Sequence, residues 1–167
     1  YTHCAGRNFS ELDNNVSKFI EMGFKFIRAQ VSIPGNSSTY GQGGQNEAAL
    51  AVWGDSDLPM IEKWEPNLYL NEVPKLFAHL RQKFGEKIEL LHDVHERLTP
   101  IQAARLAKSV EPYNLFFLED AIRPEHKESF RLIRNFSTTP LAMGELFSSL
   151  WECVPLFTEQ LIDYIRC

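Results

Sequence analysis

Apolar residues gather in short runs at 24–29, 88–93, 115–119, 141–145 and 161–166, with a stub at 1–4. Each run is rich in Ile, Phe and Leu and predicts a strand. Between the runs, apolar positions recur at helical spacing, as in Ala103, Leu106, Ala107 and Val110, or Phe130, Ile133 and Phe136. These stripes predict helices that turn one face to a core. Ser10 followed by Asp13 predicts the start of one helix, and Thr99 with Pro100 at the first helical position predicts another. A third is expected over 125–136 behind Pro124, and Ser149 with Glu152 has the spacing of a capping box for a fourth. Strand and helix alternating in this way predict parallel βα units, because a parallel pair needs a crossover and a helix supplies it.

Two segments break the rhythm. Residues 32–46, SIPGNSSTYGQGGQN, are loop by composition. With the aromatic stretch that follows, they make an excursion of about 40 residues, over about 32–71, before a helix near Glu72. Excursions of that length in a compact domain are usually functional or disordered. No linker or low-complexity tail marks a second domain, so residues 1–167 are expected to form one unit.

Composition narrows the setting. The chain has 167 residues, 44% hydrophobic and 23% charged, enough to bury one substantial core. A formal charge of -5 and a pI near 5.6 predict no nucleic-acid or anionic-membrane partner. The apolar runs are too short to span a bilayer, and no charged-then-apolar leader opens the chain. Cys4, Cys153 and Cys167 are odd in number and lack metal-like spacing, which suits a reducing cytoplasm better than a disulfide framework.

The candidate chemistry lies where the predicted strands end. Asp93, Glu119 and Glu145 each close an apolar run, and each lies 26 residues after the one before. In a parallel barrel such positions converge on the carboxyl-terminal mouth, where active sites of that architecture sit. A solvated turn is the simpler account of any one of these acids, but three in equal phase favour a metal site. Hard oxygen ligands without cysteine suit Mg2+. Period-two alternation is expected to put Asp93 and His95 on one side of the segment and His92 on the other. His92, His95 and Glu96 do not have the order of a zinc-protease HExxH helix.

The segment LLHDVHERLTPIQAARLAKSVEPYNLFFLEDAIRPE, followed by PLAMGELF and LIDYIRC, resembles the D-mannonate dehydratase family of the enolase superfamily. GFKFIRAQVSIPG and TYG upstream resemble that family's second-strand region, so the resemblance runs over essentially the whole chain. It implies a Mg2+-dependent acid-sugar dehydratase, of the homo-oligomeric kind, built on a modified (β/α)8 TIM-type barrel. By that resemblance Asp93, Glu119 and Glu145 correspond to the metal ligands, Arg28 and Tyr40 to a paired base, and His95 to the general acid. A guanidinium beside a tyrosine favours the phenolate and makes it a usable base. Racemases and cycloisomerases of the superfamily carry Lys-x-Lys where this chain has Arg28-x-Gln30, which favours dehydration. The capping domain and the last two barrel units of the family have no counterpart in these residues. The expected substrate is D-mannonate; another acid sugar such as D-gluconate, or a non-catalytic sensor that keeps the metal site, are the alternatives.

Overall fold

The computed structural model describes residues 1–33 and 64–166. Six parallel strands lie side by side in chain order: β1 (Thr2–Gly6), β2 (Phe26–Val31), β3 (Glu89–Asp93), β4 (Phe117–Glu119), β5 (Leu141–Met143) and β6 (Tyr164–Ile165). The helices between them are α1 (Phe9–Glu21), α2 (Pro66–Phe84), α3 (Pro100–Val110), α4 (Phe130–Phe136) and α5 (Leu150–Thr158). Sequential parallel neighbours joined by helices are the βα steps of most of a (β/α)8 barrel. Among the described residues, no helix is long and apolar enough to cross a membrane.

Strand alternation divides the core in two. Ile27, Ala29, Leu90 and Leu118 point outward and pack under the helices with Phe77, Leu80, Leu106 and Phe130. Leu91, Phe117 and Ala142 point the other way and form a small inner cluster with Phe116. Aromatic contacts extend it: Phe116 lies 4.8 Å from both Phe26 and Tyr164, measured between ring centroids. The inner cluster is the floor on which the strand-end acids stand.

Ser149 with Glu152 forms a capping box, as its spacing predicts, and Thr99, expected to open its helix ahead of Pro100, forms a second one with Gln102. Three other expectations change. The cap of α1 is Asn8, whose side-chain oxygen accepts from the Glu11 backbone N–H at 2.9 Å, rather than Ser10. Asp13 instead lies inside α1 and ties it to α2 through Lys83 Nζ at 2.7 Å and His79 Nε2 at 2.8 Å. The expected helix over 125–136 is a 3-10 turn, Pro124–Ser129, followed by α4; Phe130 and Ile133 are buried, but Phe136, at its end, is 57% exposed. Cys4 and Cys153 are buried, and burial pushes the Cys4 thiol up to about 12.

The inlet of β3 is fixed by one side chain. Arg81 of α2 donates to four backbone carbonyls: Tyr113 at 2.7 Å, Asn114 at 2.8 Å, Ile88 at 2.7 Å and Gly85 at 3.0 Å. It thereby joins the end of α2 to the strand that follows and to the α3–β4 connection. Arg81→Met keeps most of the apolar stem but strands these carbonyls. We expect it to lower unfolding stability by about 3 kcal/mol, read by denaturant titration of the full-length product of the reading frame that encodes this chain.

Candidate active site

Asp93 and Glu119 are Cα partners across β3 and β4, so the register sets two carboxylates side by side at the strands' carboxyl ends. Both are buried, at 1% and 0% exposure. Glu145 does not repeat that position. The β5 residue paired with Glu119 is Ala142, and Glu145 stands two residues beyond the end of the strand. Equal spacing in sequence is therefore not equal phase in the sheet, because the chain turns at Gly144, with φ of 145°.

His95 also arrives by a different route from the one that alternation predicts. The extended backbone stops at Asp93, and His95 and Glu96 are consecutive left-handed residues, with φ of 55° and 63°. The Asp93 Oδ1 accepts the His95 backbone N–H at 2.7 Å, which turns the imidazole back over the acids. Its Nδ1 lies 3.6 Å from Asp93 Oδ2 and 3.7 Å from Glu145 Oε2. His92 does face the other way, as alternation predicts. Its Nδ1–H donates to the Ala29 carbonyl at 3.0 Å, which leaves Nε2 to accept from the Tyr69 hydroxyl at 2.7 Å. Burial holds its pKa down at about 4, so it is a neutral core residue.

Among the described residues, the acids form two groups that share Asp93: Asp93, His95 and Glu145, and Asp93, Glu119 and Asp120. Within each group the ligand atoms lie within 4.8 Å of one another. Asp120 carries no periodic signal in the sequence, which is why pattern reading misses it. Arg28, buried at the centre of β2, donates from Nη1 to Asp93 Oδ2 at 2.7 Å and approaches Glu119 Oε1 at 3.4 Å. Its Nη2 donates to His3 Nδ1 at 2.9 Å. Arg166, just past β6, lies 2.9 Å from Glu119 Oε1 and 2.6 Å from Glu145 Oε2. The Tyr1 hydroxyl completes the ring, donating to Glu119 Oε2 at 3.0 Å. Arg166 could have been suspected from alternation, two places after Tyr164 at a strand end; Tyr1 and His3 carry no such sign. Tyr40 lies outside the described residues.

These contacts set the electrostatics. Burial and the neighbouring Glu119 charge push Asp93 up to about 7, against the pull of Arg28. Burial likewise raises Asp120 to about 7, opposed by the Gly144 N–H. His95 is held below the ordinary imidazole range, first by burial, with Glu145 pulling the other way. A histidine with a lowered pKa is the readier proton donor once charged.

Three carboxylates at 1% exposure or less, Asp93, Glu119 and Asp120, confront one guanidinium as deeply buried, that of Arg28. One of their oxygens, Asp120 Oδ2, is buried with no hydrogen-bond partner. An excess of hard oxygen donors over cations is the composition of a divalent-cation site of the Mg2+ kind, so the residues fit that ion.

The family described as Enolase C-terminal domain-like matches residues 20–167. A D-mannonate dehydratase of Rhizorhabdus wittichii is 49% identical over 166 residues, which are 99% of this chain and 41% of that protein. A D-galactonate dehydratase family member ManD of Chromohalobacter salexigens is 48% identical, again over 99% of this chain and 41% of its own length. The crystal structure of an enolase from Pantoea ananatis with bound D-gluconate and Mg superposes with a TM-score of 0.79 at 38% identity, over 99% of this chain and 41% of that one. The chain thus spans under half the length of these relatives.

Gly144 is the joint on which Glu145 turns. A Cβ there would stand 2.4 Å from the Arg166 carbonyl oxygen, at a φ that side chains rarely adopt. We expect Gly144→Ala to cost about 3 kcal/mol of unfolding stability, since backbone rather than a flexible side chain must yield. Thermal and denaturant unfolding of the full-length protein checks it.

Proposed function

Because the chain belongs to the enolase C-terminal domain-like family, we propose that it carries the metal-holding and proton-donating part of a Mg2+-dependent acid-sugar dehydratase. The substrate is D-mannonate and the product 2-keto-3-deoxy-D-gluconate. The observation that supports this most directly is the pairing of Asp93 with Glu119 across β3 and β4, with His95 Nδ1 3.6 Å from Asp93. Asp93, Glu119 and Glu145 are the residues proposed to hold the ion. When bound, Mg2+ supplies positive charge to the substrate carboxylate as the neighbouring C–H bond breaks.

The remaining steps belong to side chains of this chain. Tyr40 is the base proposed to take the proton from C2, and a guanidinium such as that of Arg28 favours the phenolate form of a tyrosine. His95, protonated, gives its proton to the 3-hydroxyl, which leaves as water because hydroxide is a poor leaving group. The resulting enol tautomerises to the keto acid. One proton is taken and one is given, so the net change is loss of water. The buried Cys4 thiol supports a reducing, cytoplasmic setting. D-Gluconate is the second reading, favoured by its presence in the superposed Pantoea ananatis structure.

Calorimetric titration of Mg2+ into the full-length protein tests the metal. Glu119→Gln should weaken affinity by at least about tenfold with the fold retained, and unchanged affinity would exclude Glu119 as a ligand. Assay on a panel of acid sugars then separates D-mannonate from D-gluconate by which is turned over. In His95→Asn, loss of the 3-hydroxyl should fall by roughly 10²–10⁴-fold while exchange of the C2 proton with solvent deuterium persists. Turnover within a few-fold of wild type would exclude His95 as the acid.

A further inference from the structure

Non-glycine residues with left-handed backbone are uncommon, and they persist where the surrounding structure holds them. Three of them stand at the mouth: His95 and Glu96 after β3, and Asp120 after β4, with φ of 42°. Asp120 is the one that touches both neighbouring turns. Its backbone N–H donates to the Ala142 carbonyl at 3.0 Å, and its own carbonyl accepts from the Glu96 N–H at 2.7 Å. Its side-chain Oδ1 accepts from the Gly144 N–H at 3.1 Å. Asp120 thus reaches the turn that presents His95 and the joint that presents Glu145.

The side-chain bond is the informative one. The side chain is almost wholly buried, at 1% exposure, beside two other carboxylates. A buried acid among acids is a costly choice for satisfying one peptide N–H, since burial of charge disfavours the site. What the bond takes from position 120 is a side-chain acceptor oxygen, which the left-handed backbone holds within reach of the Gly144 N–H. It fixes Gly144, whose φ of 145° aims the next residue, Glu145, at His95. Asp120 joins the β3, β4 and β5 exits through hydrogen bonds at both its backbone and its side chain.

We propose that Asp120 is a positioning residue: by holding Gly144 through Oδ1 while its backbone holds Glu96, it sets Glu145 and His95 against each other and thereby sets the cation affinity of the site. The inference rests on the proposed metal reading but adds a residue to it. Asp120 acts through the Gly144 N–H and need not itself touch an ion.

Two variants suit the left-handed backbone and so separate the side-chain bond from backbone strain. Asp120→Gly removes Oδ1, whereas Asp120→Asn keeps an acceptor oxygen and removes the charge. With Mg2+ as the calorimetric probe on the full-length protein, Asp120→Gly should bind some 10–100-fold more weakly, with Asp120→Asn within about threefold of wild type. Rescue by asparagine is the result that a merely structural acid or a direct ligand would not give. Equal weakening in both variants would show that the charge or direct ligation matters, and would overturn the proposal, as would wild-type affinity in both. Should glycine fail to fold, Asp120→Ala takes its place as the variant without an acceptor: about tenfold or greater weakening in alanine with asparagine within about threefold supports the hydrogen-bond role, and equal affinities in the two overturn it. Glu119→Gln, measured beside them, distinguishes failure of this inference from failure of the metal reading, because only the latter leaves that variant's Mg2+ affinity unchanged.

Discussion

Carboxylates crowded together in a dry place repel one another, and at this barrel mouth that repulsion decides what surrounds them. Asp93, Glu119 and Asp120 are almost wholly buried with ligand atoms within 4.8 Å. Arg28 and Arg166 reach in from strands on either side to balance them, one through β2 and the other past β6. Even so, Asp93 and Asp120 sit near 7, well above the ordinary carboxylate range, because two guanidiniums do not fully offset burial and mutual charge. A divalent cation would offset that excess of negative charge, which is why the cluster suits the proposed metal site.

That architecture works because the two faces of the sheet have separate duties. The outward face, with Ile27, Leu90 and Leu118 under the helices, carries most of the apolar burial. The inward face needs only the small cluster around Leu91 and Phe117 as a floor. Charges can therefore be concentrated on the inner face without weakening the main core. His92 and Asp93 illustrate the division: adjacent in sequence, one is a neutral imidazole locked between Ala29 and Tyr69, the other a buried acid bonded to Arg28 at the mouth.

Much of this was legible in the residues before any coordinates. The apolar runs marked the strands, and the turn from Leu90 and Leu91 to Asp93 marked the mouth, because alternation of side chains follows from backbone geometry alone. What sequence spacing could not carry was phase. Glu145 matched the interval of its predecessors, yet β5 ends earlier and Ala142 takes the register place opposite Glu119. His95 came to Asp93 through a left-handed turn rather than along a strand, and no pattern announces such a turn when glycine is absent. Asp120 stayed hidden for a related reason, since it follows Glu119, which the strand-end pattern already marked, and its left-handed turn leaves no trace in the sequence. Contacts closed across the sheet, such as Arg166 and Tyr1 on Glu119, depend on curvature that a linear reading does not contain.

The left-handed residues at the mouth bear on how this surface can change over evolutionary time. A lineage drifting toward easier backbone geometry would find glycine or asparagine at positions 95, 96 and 120, and each such step would relax the chain. At 95 the same step would discard the imidazole. At position 95 selection for thermal robustness and selection for the proposed chemistry therefore pull in opposite directions, whereas on the helical flank, at Leu106 or Ile133, they pull together. Divergence within such a family should be slow at that turn even where neighbouring loop residues are freely exchanged.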